Sequence, residues 1–306
     1  SIYLSTNLYD FDLSLDCFNV SPIFMFNCII KGLGDISSDA TTPNITEEKN
    51  TMLESFNLEG KVAIVTGCNT GLGQGIAMGL AEAGCKVVGV NRTEPKETIE
   101  VMNAAGHTFL DVRADLLKQE CIPGIIEKAL TEFGQIDILV NNAGWDVVKP
   151  FLDSDAEHWK KLIDINLYGP LNMHHAVLPG MVENGKGRVV NIASDAGRVG
   201  SSGESVYAAC KGGIIAFTKT VARELARKGI QLNAVAPGPT DTPLLAQFAQ
   251  GDTGAKIAEG LKRAIPMKRL GQPSDYPGII CFLASDDAGF ITGQVISVSG
   301  GLSMHG

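Results

Sequence analysis

The sequence predicts an α/β fold built on a doubly wound parallel sheet, and three observations carry that prediction. Apolar runs such as KVAIVTG (61–67), IDILVNNAG (136–144) and IQLNAVAPG (230–238) lack the polar alternation of a half-exposed strand; they read as strands buried on both faces. Helical segments alternate with these runs, as βαβ units require. The first run opens through TGCNTGLG directly into an amphipathic helix, and glycines in a strand-to-helix turn let backbone N–H groups approach an anion.

Taken in order, the strands are expected at 61–67, 86–91 (KVVGVN), 108–115 (TFLDVRAD), 136–144, 187–194 (GRVVNIAS), 230–238 and 294–301 (QVISVSGG). Helices are expected after the glycine turn, near 119–133, near 155–183 and from about 205 to 228. The glycine turn has the spacing TGxxxGxG rather than GxGxxG, so Gly67, Asn69, Thr70, Gly71, Leu72 and Gly73 are candidate nucleotide contacts.

The chain has 306 residues, 44% hydrophobic and 19% charged, with a net charge of −9, and carries no long basic run. That balance argues against nucleic acid or an anionic membrane as the main partner and leaves small molecules. Seven scattered cysteines without a CxxC pair indicate neither a disulfide framework nor a zinc site, so no metal is expected and a reducing, cytoplasmic setting fits. Residues 1–51 turn polar after the apolar run SPIFMFNCII, which is far short of the ~20 residues that span a bilayer. They are expected to form a disordered extension, with one catalytic domain over 52–306.

The stretch SVYAACKGG (205–213) places Tyr207 and Lys211 four residues apart with small side chains between them. On a helix such residues share a face, about 5–6 Å apart. At an effective dielectric near 20 the ammonium would favour the tyrosinate by ~3 kcal/mol, lowering a phenol pKa of about 10 by about two. A phenol so tuned serves as an acid or base near neutral pH. An ordinary surface pair has the same spacing, so other residues must decide.

From Leu58 to Gly306 the chain resembles the short-chain dehydrogenases/reductases. TGCNTGLG, NNAG (141–144), Asn166 in DINLYG, Ser194, Tyr207, Lys211 and PG (237–238) stand in that family's order, and the 13-residue interval from Ser194 to Tyr207 is usual there. The resemblance implies a Rossmann fold and interconversion of a secondary alcohol and a ketone by hydride transfer. It makes Tyr207 the general acid or base, and Lys211 the group that lowers its pKa and binds the nicotinamide ribose. Ser194 would hydrogen-bond the substrate oxygen, and Asn166 would hold a water in a proton relay. The small residues at 208–210 would then leave room for a cofactor, and Cys210 is expected to be a packing residue.

The same resemblance places Asp115 and Leu116 at the adenine, runs Asn141, Ala143 and Gly144 beneath the cofactor, and brings Pro237, Gly238, Thr240 and Thr242 near the nicotinamide carboxamide. Asn91 and Arg92 end the second strand where NAD enzymes tend to carry a carboxylate for the ribose diol. Arg92 could pair with a 2′-phosphate, whereas Thr70 replaces a basic residue many NADP enzymes carry and Glu94 lies close by. The balance favours NADP(H) slightly and leaves NAD(H) open. A homo-oligomer, tetramer or dimer, is expected, with His174 and His175 on a helix the family uses for subunit contact.

Substrate choice should lie in a small lid, 243–270, whose Lys256, Lys262, Arg263, Lys268 and Arg269 could clamp an anionic substrate such as a CoA thioester. At finer grain, residues 56–144 resemble 2-deoxy-D-gluconate 3-dehydrogenases and residues 145–306 resemble 2-hydroxycyclohexanecarboxyl-CoA dehydrogenases. The second half holds the expected pocket, so a hydroxyacyl-CoA is the favoured substrate and a sugar acid the alternative. A rival of another class is a non-catalytic dinucleotide-binding scaffold on the same fold, against which the intact Ser194, Tyr207, Lys211 and Asn166 set argues.

Overall fold

A computed structural model of the protein describes residues 56–248 and 259–304. The extension expected over 1–51 and the middle of the expected lid lie outside these residues.

Seven parallel strands form one sheet: β1 (Val62–Thr66), β2 (Lys86–Asn91), β3 (Phe109–Arg113), β4 (Ile138–Asn141), β5 (Gly187–Ile192), β6 (Ile230–Pro237) and β7 (Val295–Val298). Their spatial order is β3-β2-β1-β4-β5-β6-β7. The order reverses between β1 and β4, and a doubly wound sheet opens a crevice at the carboxyl ends of its strands at such a point. Every strand anticipated from the apolar runs is present; β2 spans the expected residues and the others are shorter by one or more residues.

The helices are α1 (Gly71–Glu82), α2 (Lys96–Ala104), α3 (Ile122–Phe133), α4 (Ala156–Ile163), α5 (Gly169–Glu183), α6 (Ala196–Val199), α7 (Ser205–Leu225), α8 (Pro243–Phe248) and α9 (Pro277–Ala284). They cover both faces of the sheet. On one face Ile76, Leu80 and Ile280 pack against Ala63, Val65 and Val140; on the other, Ile125, Met173 and Val177 pack against Ile64, Val88 and Leu139. Successive β1 side chains serve opposite cores, which is why its run is apolar throughout. Each fully buried aliphatic side chain contributes roughly 1.5–3 kcal/mol.

The segment expected as one helix over 155–183 is interrupted. Asp164–Tyr168 forms a π-helical turn between α4 and α5, with the Asp155 side chain capping the start of α4 by accepting from the His158 N–H at 2.9 Å. This wider turn carries Asn166, and such turns recur at functional sites. His174, on the helix expected to serve subunit contact, is itself buried against Phe217, and burial lowers its pKa to about 4, so the ring is neutral. His175 is exposed.

Candidate active site

A cleft of about 810 Å³ runs along the carboxyl ends of β1, β2, β4, β5 and β6. Its floor is the turn from β1 into α1. Gly67 and Gly71 adopt φ of 69° and 58°, in the left-handed region. A Cβ on Gly73 would lie 2.1 Å from the Gly67 carbonyl oxygen and 2.4 Å from Asn142 Nδ2, so only glycine lets the helix start this close to the strand. Thr70 precedes α1 without a side-chain cap, leaving first-turn N–H groups open to an anion. Asn69 Oδ1 is buried without a protein partner and Asn69 lines the cleft. This cradle fits a dinucleotide's pyrophosphate.

The turn is braced from its neighbours. Thr66 Oγ1 accepts from the Asn142 and Ala143 N–H groups, each at 3.0 Å, and Asn142 Nδ2 donates to the Gly67 carbonyl at 2.9 Å. Asn91 Oδ1 accepts from the Cys68 N–H at 2.8 Å, so this residue lines the cleft chiefly as a brace. Arg92 is exposed at the cleft, while Glu94, its nearby carboxylate, pairs with Arg113 at 3.1 Å. Asp115 and Leu116 line the same end; Asp115 Oδ1 accepts from the Leu117 N–H at 3.1 Å.

Asn141 does not reach the cleft. Alternation along β4 turns it to the far face of the sheet, where Nδ2 donates to Asn191 Oδ1 at 3.0 Å; its neighbour Asn142 points into the cleft instead. Ala143 and Gly144 line the cleft as expected, as do Pro237, Gly238, Thr240 and Thr242 at the end of β6. Thr240 is fixed by donating to the Gly238 carbonyl at 2.9 Å, with Tyr276 against the same hydroxyl.

Ser194, Tyr207 and Lys211 come together on the cleft wall. Ser194 follows β5 and its Oγ accepts from the Ala196 N–H at 3.1 Å; its hydroxyl lies near enough to Tyr207 to act against the rise in the phenol's pKa. Lys211 is buried, and its Nζ donates to the Ile192 carbonyl at 2.9 Å and lies 5.6 Å from the centre of the Tyr207 ring. The electrostatics differ from the expectation of a phenol lowered by its lysine. Burial pushes the Tyr207 phenol well above its usual range, and the Asp146 carboxylate pushes it further. The same burial brings Lys211 down to about 8.

Asn166 is fully buried and lies outside the cleft lining. Its Oδ1 accepts from the Trp145 N–H at 3.2 Å and its Nδ2 donates to the carbonyls of Trp145 at 2.7 Å and Leu162 at 3.0 Å. A Cβ on Gly144 would meet Asn166 Oδ1 at 3.1 Å and Lys211 Nζ at 3.5 Å. Asn166 therefore positions the Gly144–Trp145 backbone beside the lysine.

The sequence reading missed Asp146, Glu204 and Lys161, which line the same cleft as Tyr207 and Lys211. Lys161 Nζ sits 3.7 Å from the centre of the Trp145 ring. Of the basic residues of 243–270, Lys262 is exposed and the others described have partners within the segment or close by. Arg269 forms a bidentate pair with Asp275 at 2.6 and 2.8 Å, Lys268 donates to the Arg263 carbonyl at 2.8 Å, and Arg263 faces Glu259 at 3.4 Å. Lys256 lies outside the described residues. Among the described residues of 243–270, Pro243, Leu244, Leu245 and Leu261 line the cleft. Among the described residues no acidic, His or Cys cluster could hold a metal, and no helix is long and apolar enough to cross a membrane.

The profile of the family described as enoyl-(acyl carrier protein) reductase matches residues 67–303. The chain is 43% identical over 251 residues to the 2-dehydro-3-deoxy-D-gluconate 5-dehydrogenase of Escherichia coli, covering 82% of this chain and 98% of that protein. It is 36% identical to the (2S)-[(R)-hydroxy(phenyl)methyl]succinyl-CoA dehydrogenase subunit BbsD of Thauera aromatica, over 81% of this chain and 99% of that protein. A crystal structure of an actinorhodin polyketide ketoreductase variant with NADPH superposes with a TM-score of 0.77 at 32% identity, covering 80% of this chain and 98% of that one. With this fold, this cleft and these relatives, the chain belongs to the short-chain dehydrogenases/reductases, NAD(P)-dependent oxidoreductases that act on CH–OH groups.

Proposed function

We propose that the protein interconverts a hydroxylated carboxylic acid and its keto form, with NADP(H) the favoured cofactor and Tyr207 the proton-transferring group. The observation that carries the catalytic part is the convergence of Ser194, Tyr207 and Lys211 on one wall of the cleft that the glycine turn enters.

The turn residues 67–73, Asp115, Ala143, Gly144 and the Pro237–Thr242 segment would hold a nicotinamide dinucleotide, which would supply or accept the hydride when bound. The chain's own residues handle the proton. In the reducing direction the carbonyl carbon gains a hydride and its oxygen becomes alkoxide-like, and the Tyr207 O–H donates the proton that completes the alcohol. Ser194 holds the same oxygen, and the Lys211 ammonium stabilises the negative charge as it develops. A phenol kept protonated by burial is suited to the donor role. In the oxidising direction the proton returns to Tyr207. Arg92, exposed at the cleft with Glu94 paired to Arg113, supports NADP(H) as a candidate partner for a 2′-phosphate, and NADPH accompanies the related ketoreductase.

For the substrate, the 43% identity to a sugar-acid dehydrogenase over nearly all of that protein supports a polyhydroxy acid. Lys161 at the cleft offers a partner for its carboxylate. Arg269, held by Asp275, is the lid cation least available to CoA phosphates, while Lys262 stays exposed. A hydroxyacyl thioester is the second reading, favoured by Leu244, Leu245 and Leu261 on the cleft wall and by the likeness to the succinyl-CoA dehydrogenase subunit. Specificity constants for hydroxy acids and hydroxyacyl thioesters, each assayed with NADP and NAD, test both readings. Preference for a thioester over every hydroxy acid would reverse the order.

A further inference from the structure

Asp146 stands out among the cleft residues because it is 2% exposed and the backbone donor that acts on it, the Val147 N–H, does not reach good hydrogen-bond geometry to either carboxyl oxygen. Burying an ionised carboxylate without partners costs several kcal/mol, so such a group needs a proton or an incoming donor. Glu204 supplies half of the answer: it lies close enough to hydrogen-bond Asp146 once one of the two carboxyls is protonated. It immediately precedes α7, three residues before Tyr207, and so sits on the same face one turn away. Asp146 follows the Gly144–Trp145 backbone that Asn166 fixes beside Lys211. The two acids thus flank the reacting phenol and both line the cleft.

A carboxyl pair sharing one proton still has lone pairs to fill. The donors that a carbonyl or carbinol substrate can bring there are its other hydroxyl groups. We propose that Asp146, with Glu204 as its proton-sharing partner, selects substrates that carry a second hydroxyl beside the reacting carbinol, the substrate O–H donating to the Asp146 carboxyl. This rests on the alcohol/ketone chemistry assigned above and deepens it with a specificity-determining residue. A site built to receive a hydroxyl discriminates strongly against the analogue that lacks it, because the buried acceptor is then left unpaired.

The test uses a matched pair of substrates, a vicinal-hydroxy acid and the analogue with hydrogen in place of the neighbouring hydroxyl, with the full chain and its preferred cofactor. If wild type turns over only acyl thioesters, the pair is made in that class, so wild-type turnover judges the substrate class and the ratio within the pair judges Asp146. The wild type is expected to favour the diol by about tenfold or more in kcat/KM, and Asp146→Asn to bring the ratio within about threefold of one, chiefly through KM. Glu204→Gln should reduce the ratio less. If Asp146→Asn proves inactive on both substrates, calorimetric binding of the diol to the enzyme–cofactor complex decides, with a loss of about tenfold in affinity expected. An unchanged ratio or affinity in Asp146→Asn, or a wild type indifferent to the second hydroxyl, overturns the proposal.

Discussion

The Lys211 ammonium is anchored to the Ile192 carbonyl at 2.9 Å while it lies 5.6 Å from the centre of the Tyr207 ring. The end of β5, not the phenol, fixes its place. Burial brings Lys211 to about 8, so its charge is present below that pH and lost above it, whereas Tyr207 stays protonated to higher pH. For ketone reduction, kcat/KM should be flat through neutral pH and decline as pH rises past about 8. A pH–rate profile checks this; a rate rising through that range would show that the lysine charge is not needed.

Asp146 should leave a mark on stability as well. Burial first, and Glu204 next, raise its pKa from 3.8 to about 8, with the Lys211 charge acting in the opposite direction. Between those values the folded state holds a proton that the unfolded state has lost, so stability falls as pH rises from about 4 to 8. Asp146→Asn removes that dependence. Its Tm relative to wild type should therefore climb across this range, with Arg92, Asp115, Lys161, Asp195, Glu204, Tyr207 and Lys211 as the other titratable or charged groups of the cleft. Parallel Tm curves for the two proteins would contradict a proton held by Asp146.

Gly73→Ala places a methyl group 2.1 Å from the Gly67 carbonyl oxygen and 2.4 Å from Asn142 Nδ2. The turn must open, breaking the Asn142 brace. Cofactor affinity should fall by at least about tenfold, with a stability loss of about 1–3 kcal/mol from strain. Fluorescence titration of the cofactor and denaturant unfolding measure the two effects.

Much of this architecture is legible in the sequence because its strands are buried on both faces. Nothing polar interrupts VAIVT or ILVN, and each run maps onto a strand. The Tyr207–Lys211 spacing and its distance from Ser194 likewise survive folding, since one helix and one strand end carry them. Two kinds of information were not legible. The π-helical turn at Asp164–Tyr168 is a change of hydrogen-bond register within a continuous helical pattern, which side-chain periodicity does not report. The Asp146–Glu204 pair joins residues from separate loops, and neither residue is unusual in its own segment. Asn141 lies outside the cleft lining and ties β4 to β5 through Asn191, which a two-residue period along β4 accounts for and motif spacing alone does not show.

Arg92→Asp should shift preference from NADP toward NAD by at least about tenfold in the ratio of kcat/KM values, by exchanging a phosphate partner for an acceptor of the ribose diol. Initial rates with the two cofactors measure it. An unchanged ratio would mean that Arg92 does not meet the 2′ position.

The most direct test of the account is Tyr207→Phe, which keeps the ring and its packing and deletes only the proton donor. Carbonyl reduction and alcohol oxidation should both fall by about a hundredfold or more while cofactor affinity stays within about twofold of wild type. A variant that keeps more than about a tenth of wild-type turnover would contradict the assignment of Tyr207 as the proton-transferring group.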